Sequence, residues 1–520
     1  MTHTADKPAL TAPFGVFDIR ALVAGEATLD GLSASTRSRN ERGRAALLEQ
    51  LERDGVVYGV TTGFGDSCET RVQGELVVEL PRNLYRFHGC GLGEPFSPDE
   101  TRAILLARLS SLATGYSAVR PVVLEHLAKF FELDLLPLIP SLGSVGASGD
   151  LTPLSYIAAA LAGEGEALYR GTRMTASQAL EAASLTPLTL EPKESLALMN
   201  GTSAMGGVAA LCLPRALYLT RWAAALTASN SDVMLGQARH FDPRLFEAKP
   251  HPGQALVARW IRDDIEFERD RTKEPARVQD RYSIRCAPHV LGVLLDFFPT
   301  LNQLLDVELM GANDNPLVDP DSGDVLHGGN FYGGHVCAAM DLLKTQVANI
   351  ADLLDRQLAL LCNETTNHGL PINLVGAPGA TASAHHGFKA MQITTSALAA
   401  EAAKLTMPAS VFSRSTENHN QDKVSMGTIA ARDCVRVLEL TEYVAAIVTL
   451  ATAQAHDLRG GVGCHRRSAA LHAQLRTAIP MHTADRPMQA DILRVLDWAQ
   501  SGQLPIGALD LPPGYPAPAR

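Results

Sequence analysis

The feature that most limits how this chain can fold is a set of long apolar stripes at helical spacing in its second half. Leu343, Val347, Ile350, Leu354, Leu358 and Leu361 step by threes and fours, so they share one face of a helix. Residues 426–458, 382–405 and roughly 291–310 repeat the pattern and are rich in helix-favouring Ala and Leu. Helices this long and this poorly capped hold together when laid side by side. The expectation is a mainly α protein with a long-helix bundle. The first two hundred residues differ: short helices at 100–112 and 121–131 alternate with Gly-rich loops at 58–66, 87–93 and 141–150. This reading divides the chain into a mixed, loop-rich N-terminal part (1–202), a central bundle (203–480) and a C-terminal segment with a Pro-rich tail (481–520). No solenoid-length repeat is evident.

Composition removes some functions. A net charge of −11 and a pI near 5.8 argue against a nonspecific nucleic-acid binder, which needs a basic face. None of the eight cysteines forms a C-x-x-C pair, and they read as buried, reduced thiols. No basic n-region followed by an apolar stretch opens the chain, and charges interrupt the apolar runs, so a soluble cytoplasmic protein is expected. The charged stretch 266–278 reads as solvated surface. Neither H-E-x-x-H nor Cys/His ligand spacing occurs, so no metal is implied.

The chemistry concentrates in Gly143-Ser-Val-Gly-Ala-Ser-Gly-Asp-Leu151. One reading is a plain loop feeding a helix, with Asp150 near its N-terminus. A phosphate-cradling loop is disfavoured, because no Gly-Lys-Ser/Thr follows. A third reading uses the backbone: the Gly149 nitrogen attacks the Ala147 carbonyl, a five-membered ring closes, and dehydration of Ser148 leaves an exocyclic methylene. Glycine at 149 lets the chain fold tightly enough for that attack.

In this context, GSVGASGDLTPLSYIA, the chain resembles the aromatic amino acid lyase family of histidine, phenylalanine and tyrosine ammonia-lyases, over roughly residues 50–460. The resemblance implies a fumarase/histidine ammonia-lyase-like bundle. It implies that Ala147, Ser148 and Gly149 form methylidene-imidazolone (MIO), with no metal or diffusible cofactor. It also implies a homotetramer whose sites are lined by several subunits. Tyr58, in Tyr58-Gly-Val-Thr-Thr-Gly-Phe-Gly65, takes the role of base at the substrate's β-carbon. Its ordinary pKa of about 10 calls for donors around the phenolate. Asn200, in Leu198-Met-Asn-Gly-Thr-Ser203, would contact the ring and the substrate. In Gln279-Asp-Arg-Tyr-Ser-Ile-Arg-Cys286, Arg285 would fork onto the substrate carboxylate, supported by Tyr282 and Gln279. His289 stands where relatives commonly carry glutamine. Asn313 of Asn313-Asp-Asn-Pro316 and Phe331 of His327-Gly-Gly-Asn-Phe331 would complete the lining.

Two positions bear on the substrate. Histidine lyases resemble Gln-Glu where this chain has Asn420-Gln421, the pattern of the phenylalanine and tyrosine lyases. Ahead of Gly89-Cys-Gly91 stand Phe87 and His88, which match no member pattern cleanly. Phe87 offers an apolar wall and His88 a hydrogen bond at the far edge of a ring, so the expected substrate is tyrosine and the product trans-4-coumarate. The alternatives are a histidine lyase releasing urocanate, a phenylalanine lyase, a 2,3-aminomutase using the same electrophile, and a helical scaffold without activity.

Overall fold

The computed structural model describes residues 7–267, 277–460, 466–512 and 515. Most of the charged stretch, Cys464 and most of the Pro-rich tail lie outside the described residues.

The periodic stripes form the expected long helices. We label those that position the site α1 (Pro98–Ala113), α2 (Leu151–Leu161), α3 (Ser203–Val233), α4 (Ala287–Met310), α5 (Gly334–Cys362) and α6 (Gly427–Leu458). With 31, 29 and 32 residues, α3, α5 and α6 are each about 45 Å long at about 1.5 Å per residue. Nearly all of α3 is buried, on every side, which makes it the central post. α6 packs on α5 and on α3, while α1 and α4 cover other faces of α3. The stretch expected as one helix over 382–405 is split: a 3-10 turn at Gly379–Ala384, then a helix at Lys389–Lys404.

The sheets are small. A strand at Leu92–Pro95 pairs antiparallel with one at Pro140–Leu142, which sets the 87–91 loop beside the start of the 143–150 loop. One hydrophobic cluster runs from Ala12 to Ile506 and threads all three sequence segments. Of the cysteines, Cys212, Cys337, Cys362 and Cys434 are buried, whereas Cys68 and Cys90 are exposed. The 282–310 stretch is long and apolar enough to cross a membrane by length and composition. Here it packs against Pro252–Asp264, α3 and α5.

Candidate active site

Residues 147–149 lie where four helices begin. α2 starts immediately after them. The Asp150 carboxylate accepts from the Met205 N–H (2.8 Å) in the first turn of α3 and from the Thr428 hydroxyl in the first turn of α6. Gly333, preceding α5, and Gly427 both pack against Met205. The positive ends of four helix dipoles therefore converge here, and negative charge developing near Ser148 is stabilised by all of them. Asp150 occupies the N-cap position of α2, yet its side chain does not cap that helix; it caps α3 instead. Burial raises its pKa, opposed by the hydrogen bonds from Thr428, Met205 and Ser144.

The triad's backbone is held in an unusual shape. Gly149 has φ +72°, and its Cα faces the Gly201 carbonyl so closely that a Cβ there would overlap it. Asp150 N–H donates to Gly201 O (2.7 Å). In return, Gly201 N–H (3.2 Å) and the Asn200 side-chain amide (3.3 Å) both donate to Ser148 O. Asn200 Oδ1 is buried with no hydrogen-bond partner among the described residues. The Ser148 hydroxyl accepts from Gln421 Nε2 (3.0 Å), whose Oε1 is fixed by Thr416 (3.0 Å). These residues fit the backbone-derived ring: a left-handed glycine, a carbonyl gripped by two donors, and a serine hydroxyl tethered from outside the loop.

Tyr58 joins through a second turn. Its hydroxyl accepts from Gly65 N–H (2.8 Å), and its ring meets His327 edge-on at 6.3 Å. Glu417 accepts from Asp66 N–H (2.8 Å) and from Asn420 (2.8 Å), so the 416–421 turn carries both a carboxylate beside Tyr58 and an amide on Ser148. Glu417, Asn418 and His419 are all left-handed (φ +51°, +55° and +66°), a costly run for residues with a Cβ. The expected donor to Tyr58 is present, but the balance is not toward phenolate. Burial raises the Tyr58 pKa most, the Gly65 hydrogen bond lowers it, and the Glu417 charge raises it again.

Phe87 is exposed at the end of Leu76–Phe87 and stacks on His88 with centroids 4.2 Å apart. Burial pushes the His88 pKa down to about 4, so the ring is neutral at physiological pH. Phe331 is half-buried two residues before Gly333. Asn313 is buried behind Asn200–Gly201, accepting from Arg108 (3.2 Å) and Ser111 (3.1 Å), and so supports the site from beneath.

Three expected residues are elsewhere. Gln279, Tyr282 and Arg285 stand at the far end of α3 and α5: Asp280 accepts from Gln237 N–H (2.7 Å) just past α3, and Gln357, near the end of α5, donates to Ser283 O (2.9 Å). The length of α3 separates them from Ser148 within one chain, about 45 Å. Tyr282 is 72% exposed, and the Arg285 guanidinium lies 4.7 Å over its ring while Nε donates to Asp280 O (3.0 Å). His289 packs on Phe246, centroids 5.5 Å apart.

Sequence reasoning missed Arg108, Glu417 and His327. Arg108 had a usable signal, a single cation inside the apolar run Ile104–Leu112, and Glu417 sits one helical turn's spacing before Gln421. Among the described residues, no group of three or more His, Cys, Asp or Glu side chains could hold a metal ion.

A family model described as aromatic amino acid lyase matches residues 16–478. Histidine ammonia-lyase of Geobacillus thermodenitrificans is 40% identical over 476 residues, 91% of this chain and 92% of the relative. Tyrosine aminomutase from Streptomyces globisporus superposes with a TM-score of 0.87 at 35% identity, covering 96% of this chain and 97% of that one. Histidine ammonia-lyase from Trypanosoma cruzi gives 0.87 at 30% identity, covering 96% and 95%. The chain belongs to the aromatic amino acid lyase family and is a carbon–nitrogen lyase whose substrate is an amino acid.

Proposed function

We propose that this lyase eliminates ammonia from L-histidine, releasing urocanate, through an MIO ring made from Ala147, Ser148 and Gly149. The observation that carries the chemistry is the grip of Gly201 N–H and the Asn200 amide on Ser148 O beside left-handed Gly149. Ring closure balances as two waters: the Ala147 oxygen leaves with the protons of the Gly149 and Ser148 nitrogens, and the Ser148 hydroxyl leaves with its Cα proton. Once formed, the ring supplies a carbon that accepts the substrate amine and makes it a better leaving group.

The chain's own residues do the rest. Tyr58 accepts the β-proton on its hydroxyl oxygen, with Gly65 N–H stabilising the charged form. Asn200 and Gly201 hold charge on Ser148 O, backed by the four helix N-termini. Arg285 fixes the substrate carboxylate, and Tyr282 and Gln279 stand with it. Because these three lie at the far end of the bundle, they reach the triad of another copy, and the working form is a homo-oligomer, read as a tetramer. Phe87, His88, Phe331, Asn420 and Gln421 surround the ring of the substrate. We read the enzyme as soluble and cytoplasmic.

Histidine leads because the named relatives at 36–40% identity are histidine ammonia-lyases. Tyrosine is the second reading, favoured by the amide at Gln421 where a glutamate would suit an imidazole, and by a neutral His88 able to bond a phenol. The test offers purified protein histidine, tyrosine and phenylalanine side by side, following the conjugated acid by ultraviolet absorbance. Faster turnover of tyrosine than histidine rejects the leading reading. A β-amino acid as main product makes the chain an aminomutase, and an unmodified intact mass in folded protein removes the ring.

A further inference from the structure

Arg108 is fully buried in the middle of α1, with no carboxylate within ion-pair distance among the described residues. A buried cation without a paired anion is costly, and an apolar side chain of similar volume would fill the space more cheaply. Its hydrogen bonds indicate what it does there. Nη1 donates to the Asn200 carbonyl (3.0 Å), and Nη2 donates to Ser111 (2.9 Å) and Asn313 (3.2 Å), which aim the fork. Nε has no partner. The Asn200 carbonyl belongs to the same peptide group as Gly201 N–H, the donor to Ser148 O. The line from guanidinium to triad is therefore continuous: Arg108, the Asn200–Gly201 peptide, the Ser148 carbonyl. Gly201, at φ +144°, is what permits it, since a Cβ there would collide with both Arg108 Nη1 and Asn313 Oδ1.

We propose that Arg108 is a positioning residue that draws electron density from the Ser148 carbonyl through the Asn200–Gly201 peptide, and so sets how electrophilic residue 148 becomes. The proposal rests on the ring reading above. A cation on a peptide oxygen polarises that peptide and strengthens its N–H as a donor. The recipient oxygen is conjugated to the carbon that a nucleophile reaches, so charge gathers on it at that moment. Loss of water from Ser148 draws on the same oxygen, because the carbonyl acidifies the Cα proton. Burial lowers the Arg108 pKa to about 10, with Asp314 and Asp150 acting against that, so the charge is present at neutral pH.

The test uses the full-length protein, wild type, R108Q and R108K, with cyanide as the nucleophile and no substrate present. Intact mass reads ring formation as two lost waters, then cyanide addition as one HCN gained per chain. The expected result is complete ring formation and rapid addition in wild type, and addition slowed by about tenfold or more in R108Q. R108K falls between, since it keeps the charge but not the planar fork. With substrate, kcat falls in step with the cyanide rate while KM stays. A folded R108Q that remains at unmodified mass supports the same role at the earlier step. A cyanide rate and kcat equal to wild type in R108Q, whatever its melting temperature, overturn the proposal. If R108Q does not fold, R108K decides by the same comparison of rates. A wild-type chain that is not two waters lighter defeats the ring reading itself, and the proposal falls with it.

Discussion

The two ends of the bundle are built on opposite plans. At the Ser148 end, four helix N-termini, buried Asp150 and the exchange of hydrogen bonds with Asn200–Gly201 hold the triad through contacts within one chain. At the other end, exposed Tyr282 and half-buried Arg285 stand ring against guanidinium, the length of α3 away from Ser148. On the proposed reading the Ser148 end provides the electrophile, and the Arg285 end provides the recognition of a carboxylate. A rigid bundle about 45 Å long cannot bring its own ends together, so the proposed site, which uses both, draws them from separate copies.

The largest effect should come from the buried end. Ser148→Ala removes the hydroxyl that leaves as water, so the chain keeps its unmodified mass and activity falls by at least about 10³-fold. Chains that stay active with that substitution would show that the triad is only a loop. The second test joins the ends. Arg285→Gln alone should lose about 10²-fold in kcat/KM, from the missing charge-assisted fork. Co-assembled with Ser148→Ala chains, about a quarter of the sites should regain both an intact triad and an intact arginine, if each site draws on two copies. No recovery would mean that each chain works alone. Between these and the smallest effect stands Gln421→Glu, which should move the histidine-to-tyrosine preference about tenfold toward histidine, measured as the ratio of kcat/KM values.

The same contrast explains what was legible in the sequence. The stripe from Leu343 to Leu361 predicted α5 because burial along one face leaves a period, and residues 382–388, which do not join the helix of 389–404, carry no such period. Gln421 and Asn200 were readable because their segments have a fixed order along the chain. Arg108 was passed over although it stands alone in the apolar run Ile104–Leu112, because an arginine in a helix ordinarily lies on a solvated face, and the packing of α1 against α3 is what buries it. Asp150 was placed correctly at a helix start but assigned to the wrong helix, since capping across elements leaves no local spacing. Nothing in the spacing of Gln279, Tyr282 and Arg285 tells that they lie the length of α3 away from their own chain's triad, for distance along a bundle is not written in a motif.

The smallest effect concerns Glu417, which couples the base to the loop that carries Gln421. As the proposed base, Tyr58 must lose its proton to act, and raising its pKa lowers the fraction of phenolate at any given pH. Burial is the larger cause and Glu417 the lesser, with Gly65 N–H opposing both. Glu417→Gln keeps the acceptor for Asp66 N–H but removes the negative charge, so the Tyr58 pKa should fall toward its ordinary value without reaching it. The rising limb of kcat/KM against pH should then move to lower pH, with the plateau little changed, while the ratio of histidine to tyrosine turnover stays where Gln421 sets it. A limb that does not move would place the titrating group elsewhere than Tyr58. A limb that moves to higher pH would mean that the carboxylate helps to remove the proton, and that the strained turn at 417–419 exists to bring it there.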